Sequence, residues 1–252
     1  MKCDHSNRHA LITGGSGGIG LATAKALAEE GARITIVSRS VDRLAKAAHD
    51  IETETGTKPA VIAADLSTNA GIALVVAGSG PIDILVNNAG AIPPGDLAGI
   101  DDATWRSAWD LKVFGYINLT RAYAPQIAQS KGVIVNVIGA GAESLSPGYI
   151  CGAVGNAALV AFTKAYAKQF AKMGGRIVGL NPGAVGTERM LLFLKQQARE
   201  TLGDESRFAE MTADLPYGRS ATPSEIADAV VFLASDRSAY TNGTVLSIHG
   251  GL

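Results

Sequence analysis

The sequence predicts a doubly wound α/β domain, and three observations carry that prediction. Short β-rich runs alternate with helical patterns along most of the 252 residues, which calls for parallel strands joined by helical crossovers. The first run, Ala10-Leu11-Ile12, passes through a glycine-rich turn directly into a helical stretch. Apolar residues make up 47% of the chain, enough to cover both faces of such a sheet, and a chain of this length folds as one domain in many α/β proteins.

In order, the first strand leads into Thr13-Gly14-Gly15-Ser16-Gly17-Gly18-Ile19-Gly20, followed by the helical stretch from Leu21 to Ala28. Glycines let a backbone approach a pyrophosphate closely, and the free N–H groups at a helix start attract its charge. A dinucleotide-binding turn is expected, the alternative being a tight turn without a ligand. Further strands are predicted over 33–37, 60–64, 82–86, 133–138, 176–180 and 244–248. After the second strand, Val41, Leu44, Ala45, Ala48 and Ile51 recur at helical spacing, predicting one apolar stripe against the sheet. Gly31 and Gly56 stand where helices are expected to end. Right-handed crossovers bring every strand-end loop to one edge, where ligands bind in such sheets.

No repeat or linker divides residues 1–252. Residues 188–217 interrupt the alternation at the ligand edge, and a substrate lid is expected there, with an ordinary surface helix pair as the alternative. With 22 basic and 23 acidic side chains and a net charge of −1, neither sign gathers into a stripe, so nucleic acid is not an expected partner. Glycine, polar or charged residues break every apolar stretch short of a membrane span. The polar start, Met1 to His9, lacks the apolar segment of a secretory signal, so a cytoplasmic location is expected. Cys3 and Cys151 are the only cysteines, and they are read as free thiols rather than a disulfide or metal framework.

The glycine turn, read as Thr13-Gly14-x-x-x-Gly18-x-Gly20, and the segments Asp65-Leu66, Asn87-Asn88-Ala89-Gly90, Asn181-Pro182-Gly183 with Thr187, and Gly218-Arg219 through Gly250-Gly251 together resemble the short-chain dehydrogenase/reductase superfamily. They span nearly the whole chain in the family's order. The resemblance implies a single Rossmann-type domain with a seven-stranded parallel sheet, NAD(P)(H) as cofactor, and a homotetramer or homodimer built through long fourth and fifth helices. It also implies that Ser16, Gly17 and Ile19 contact phosphates or ribose, Asp65 and Leu66 the adenine, and Asn88, Ala89 and Gly90 the ribose and sheet edge. Pro182, Gly183, Val185 and Thr187 would frame the nicotinamide. Asp65 as a helix cap and Asn87 as a tie between strands are the plainer alternatives.

At the second strand's end an acidic residue would accept from a ribose 2′-hydroxyl and repel a 2′-phosphate, but this chain has Ser38-Arg39. A guanidinium suits the phosphate, so NADP(H) is expected over NAD(H), with Arg43 a second candidate cation.

The family's catalytic group does not fall into place. Its register puts Gly139 at the serine position, Gly152 at the tyrosine, Asn156 at the lysine and Lys112 at the asparagine. Tyr149 lies three residues before Gly152 and shares a helix face with it if the helix includes both. The expectation is a rearranged site in which Tyr149 is the acid/base, Lys112 supplies the cation and Asn156 bonds the nicotinamide ribose. Tyr149 as a wall aromatic and Lys112 as a solvated lysine is the alternative. Ser144, Ser146 and Glu143 are weaker candidates on the same loop. Two functions follow: an NADP(H)-dependent oxidoreductase, leaning toward reduction of a small or medium carbonyl, or a catalytically silent dinucleotide-binding sensor or partner subunit.

Overall fold

A computed structural model describes residues 3–251. Its strands are β1 (His9–Thr13), β2 (Arg33–Ser38), β3 (Ala60–Ala63), β4 (Ile84–Asn87), β5 (Val133–Val137), β6 (Arg176–Pro182) and β7 (Val245–Ile248). They form one parallel sheet in the order β3-β2-β1-β4-β5-β6-β7. The helices are α1 (Gly18–Glu29), α2 (Val41–Thr55), α3 (Asn69–Ser79), α4 (Asp102–Trp109), α5 (Gly115–Gln129), α6 (Gly141–Ser144), α7 (Ile150–Met173), α8 (Glu188–Leu202) and α9 (Pro223–Ala234). The expected seven-stranded α/β architecture is therefore met.

β1 shows why both faces are covered. Successive side chains alternate across a strand, so Ala10 and Ile12 join one core with Ile34, Ile36 and Val86, while Leu11 joins the other with Leu85 and Ile134. The first core is closed by Leu27 of α1, Leu44 of α2 and Val230 of α9. The second is closed by Val75 of α3, Tyr123 of α5 and Phe170 of α7. Full burial of a side chain such as Phe170 contributes about 1.5–3 kcal/mol.

The stripe on α2 differs from expectation. Leu44, Ala47 and Ile51 are buried, whereas Val41 is 66% exposed and Ala45 also faces solvent. Val41 opens the helix just beyond the strand end, past the sheet it would have packed on. The predicted helix ends hold: Gly31 and Gly56 take positive φ of 91° and 71°. β4 begins at Ile84 rather than 82, although the Asp83 backbone already bonds His9 of β1 and Val133 of β5 and its carboxylate accepts from the His9 N–H at 2.8 Å. Helix α7, 24 residues long, is apolar enough by composition to cross a membrane. Here it flanks the sheet, with Leu159 and Phe170 fully buried and Lys164, Lys168 and Lys172 exposed.

Winding outward from β1 through β2 to β3 and then back to β4 beside β1 splits the strand-end loops apart. A crevice opens between the loops that follow β1 and β4, and this positions the site.

Candidate functional site

The crevice is an open groove of about 660 Å³. One wall is the loop between β1 and α1, where Gly14 and Gly18 take φ of 67° and 54°, values that only glycine adopts without strain. A Cβ at Gly20 would lie 2.3 Å from the Gly14 carbonyl oxygen, so this close turn requires glycine there. Gly17 caps α1 without a side-chain hydrogen bond, and no acidic residue occupies the first turn. The helix start thus presents a positive end to an anion. The opposite wall is tied on by Thr13, which is fully buried: its hydroxyl accepts from the N–H groups of Asn88 at 2.8 Å and Ala89 at 3.0 Å. Asn88 returns a side-chain bond to the Thr13 carbonyl at 2.9 Å. These groups and this volume fit a dinucleotide.

Of the residues singled out in the sequence, Gly14, Ser16, Gly17, Gly18 and Ile19 line the groove on the β1 side. Ser38, Arg39 and Leu66 line it toward β2 and β3, and Asn88, Ala89, Gly90 and Thr187 complete it. Gly20 supports the loop from behind. Pro182 is buried at the end of β6, where its carbonyl accepts from the Ala140 N–H at 2.8 Å. Gly183 donates to the Ile248 carbonyl at 3.0 Å, and Val185 bridges to Ala221. Asp65 accepts from the Ser67 N–H and hydroxyl at 3.0 and 2.7 Å, which hold its carboxyl below the usual range. The cap of α3 is Thr68, so Asp65 is not the helix cap that the plainer alternative had it. Asn87 does tie elements together, donating to Asn136 on β5 at 2.9 Å and to Thr120 on α5 at 3.4 Å.

At the end of β2 the Ser16 hydroxyl donates to Ser38 at 2.9 Å. Arg43 reaches from α2 over the glycine loop, its Nη2 2.9 Å from where a Cβ on Gly17 would stand. The same nitrogen lies 3.1 Å from Oε2 of Glu188. Two hydroxyls thus sit at this corner, beside the glycine loop that Arg43 reaches over, and Arg39 lines the same groove.

A second cluster forms where β5 ends. Trp109 is followed by a π-helical turn over Asp110–Phe114, an irregularity frequent at functional sites, and this turn carries Lys112. Its Nζ donates to the Ile138 carbonyl at 2.5 Å, while its stem packs behind Gly90 of the groove. Tyr116 donates to the preceding carbonyl, Val137, at 2.9 Å. Burial, and then the nearby Tyr149, push the Tyr116 phenol well above its ordinary value. Tyr149 is the N-cap of α7 with non-helical backbone, so it does not share a helix with Gly152 as expected. Its ring nevertheless covers Gly152, with Cε1 and Cζ each 2.1 Å from where a Cβ there would be. Asn156 is buried, 2% exposed, its Nδ2 3.0 Å from the Cβ position of Gly139 and its Oδ1 without a hydrogen-bond partner among the described residues.

Glu143 joins three strand ends. Its Oε1 accepts from Asn181 at 2.5 Å and from Ser247 at 2.6 Å, and Oε2 lies 3.1 Å from His249 Nε2. These bonds hold its carboxyl below the usual range, Ser247 contributing most. Asn181 also accepts from the Gly139 N–H at 3.4 Å. The loop bearing Tyr149 is thereby fastened to β6 and β7. Glu143 is a weaker candidate by sequence, and no motif marks Asn181, Ser247 and His249 as its partners. Glu188 and Leu192, which no motif marks either, line the groove from α8.

The family model described as enoyl-(acyl carrier protein) reductase matches residues 14–252. A 3-oxoacyl-(acyl-carrier-protein) reductase of Chlamydia muridarum is 34% identical over 251 residues, 98% of this chain and 97% of the relative. The galactitol 2-dehydrogenase (L-tagatose-forming) of Cereibacter sphaeroides is 32% identical over 245 residues, 96% of this chain and 93% of the relative. Among solved structures, the L-sorbose reductase of Gluconobacter frateurii complexed with NADPH and L-sorbose superposes with a TM-score of 0.94 at 33% identity, covering 100% of this chain and 98% of that one.

Proposed function

Because this chain belongs to the short-chain dehydrogenase/reductase superfamily, we propose that it is an NADP(H)-dependent oxidoreductase that reduces a small or medium carbonyl compound to the alcohol. The observation that carries this reading is the Tyr149 ring lying over Gly152. Gly152 holds the register position of the family's catalytic tyrosine, so a phenol reaches that space from another point on the chain.

In this reading the serine, tyrosine, lysine and asparagine of the family are replaced by Gly139, Gly152, Asn156 and Lys112. NADPH, when bound, supplies the hydride. Tyr149 gives its phenolic proton to the substrate oxygen as that oxygen gains charge, a contribution worth about 10²–10⁴-fold in rate. In the direction of reduction the phenol acts as the acid. Lys112, fixed on the Ile138 carbonyl, stabilises the phenolate that remains. Asn156 bonds the ribose, and its buried Oδ1, which lacks a partner among the described residues, supports that role.

Ser38, Arg39 and Arg43 hold the 2′-phosphate, while the glycine loop through Gly20 holds the pyrophosphate. Asp65 and Leu66 flank the adenine, and Pro182, Gly183, Val185 and Thr187 frame the nicotinamide. Residues 188–217 act as the substrate lid. The partner is a small-molecule ketone, quinone or aldehyde. Two or four copies associate, through α5 and the partly exposed face of α7.

A catalytically silent dinucleotide-binding role is favoured by one observation: Asn156 has no charge to assist a phenol. Following NADPH absorbance against a panel of ketones, quinones and aldehydes separates the two. Turnover lost in Tyr149→Phe supports the enzyme, and coenzyme binding without turnover of any carbonyl supports the silent role.

A further inference from the structure

We propose that Glu188 sets how strongly this chain distinguishes NADP(H) from NAD(H), by competing with the 2′-phosphate for Arg43. This rests on the reading of Arg39 and Arg43 as the phosphate site and goes beyond it, since it assigns a specificity role to an acidic residue on the opposite wall.

Arg43 and Glu188 stand 145 positions apart in sequence and meet across the glycine loop at 3.1 Å. Their side chains are 59% and 75% exposed, so the pair is in water and exchanges readily. Exposed pairs of this kind contribute little on their own. A phosphate oxygen is at least as good a partner for a guanidinium as a carboxylate, and it can engage both guanidinium nitrogens. Arg43 therefore turns from Glu188 to the phosphate when NADP(H) enters. Glu188 opposes that exchange twice, by holding Arg43 and by placing its own negative charge on the groove wall near the incoming anion.

NADH brings no second phosphate to this corner, so Glu188 weighs on it far less. The residue thereby moderates a preference that Arg39 and Arg43 would otherwise make steeper. Glu188 also lies in the first turn of α8, where an acidic side chain suits the helix dipole. Its amide variant keeps the size and polarity of the side chain, and Thr187 remains the cap, accepting from the Met190 N–H at 3.3 Å.

The test is calorimetric titration of NADPH and of NADH into the wild type, Glu188→Gln, Arg43→Ala, the double variant and Arg39→Ala. At low salt, Glu188→Gln tightens NADPH binding roughly three- to five-fold and NADH binding less than about two-fold, and the difference shrinks as salt screens it. With Arg43→Ala in place, the NADPH-specific gain disappears. Equal changes for both coenzymes, or a gain that persists without Arg43, would overturn the proposal. If Arg39→Ala weakens NADPH binding selectively while Glu188→Gln changes neither coenzyme, the phosphate site stands and the role of Glu188 falls. If the wild type prefers NADH and Arg39→Ala leaves the ratio unchanged, the phosphate site itself is wrong, and the proposal goes with it.

Discussion

The phenol ring of Tyr149 fills the space that a side chain on Gly152 would occupy, its Cε1 and Cζ each 2.1 Å from that Cβ position. No ordinary contact is that short, so ring and side chain exclude each other. Gly152→Ala is therefore expected to push the ring aside. A displacement on the order of 1 Å costs about 10²-fold in turnover, and coenzyme affinity should be unchanged because Gly152 does not line the groove. Steady-state kinetics beside calorimetry checks both halves, and full activity in Gly152→Ala would show that the ring position is irrelevant to turnover.

Gly20 is a stability and binding prediction. Its added Cβ would meet the Gly14 carbonyl oxygen at 2.3 Å and Asn88 Nδ2 at 2.6 Å. The nearest obstacle is backbone that cannot rotate away. Gly20→Ala should lose about 1–3 kcal/mol from overpacking, together with coenzyme binding. Thermal unfolding with and without NADPH reads this, and the wild type should gain stability from NADPH while the variant does not.

Much of this site was legible in the sequence because its signals are local. A glycine turn following an apolar run, and Arg39 at a strand end, are short local patterns that line the groove. Arg43 with Glu188, and Glu143 with Asn181, Ser247 and His249, are joined only by the crossovers that return distant strand ends to one edge. No short-range pattern marks them. The α2 stripe departs from its helical spacing at Val41, which is exposed, because that spacing does not reveal where the sheet stops. Tyr149 reaches Gly152 as the residue capping α7 rather than from within it, a proximity that spacing predicts with a geometry that it does not.

Glu143→Ala should loosen the loop that carries Tyr149. It leaves the Asn181 amide, 1% exposed, without its acceptor at a cost of about 1–3 kcal/mol. The expected kinetic outcome is a lower kcat with coenzyme affinity retained. The wild-type contribution is present above the ordinary carboxyl value of 4.5 and is lost as pH falls through the lowered folded value. A variant with normal kcat would mean that the loop is held by other contacts.

His5 and His9 predict acid sensitivity at milder pH. Burial lowers both from the ordinary 6.5. The His9 ring is enclosed by the Pro81 carbonyl 2.7 Å and the Arg33 guanidinium 3.1 Å from Nδ1, and by the Thr35 hydroxyl 2.8 Å from Nε2. Below about pH 6.5 the unfolded chain binds protons that the folded chain does not, so stability declines as pH falls toward the lowered folded values. Urea midpoints measured between about pH 7.5 and about pH 5.5 should fall, and less steeply in His9→Gln. An unchanged slope in that variant would remove His9 from the account.

The most direct test of the central claim is the kcat for carbonyl reduction by NADPH in Tyr149→Phe, measured beside its NADPH affinity. The account predicts a fall of about 10²–10⁴-fold in kcat with affinity unchanged. Wild-type turnover in the variant would contradict it.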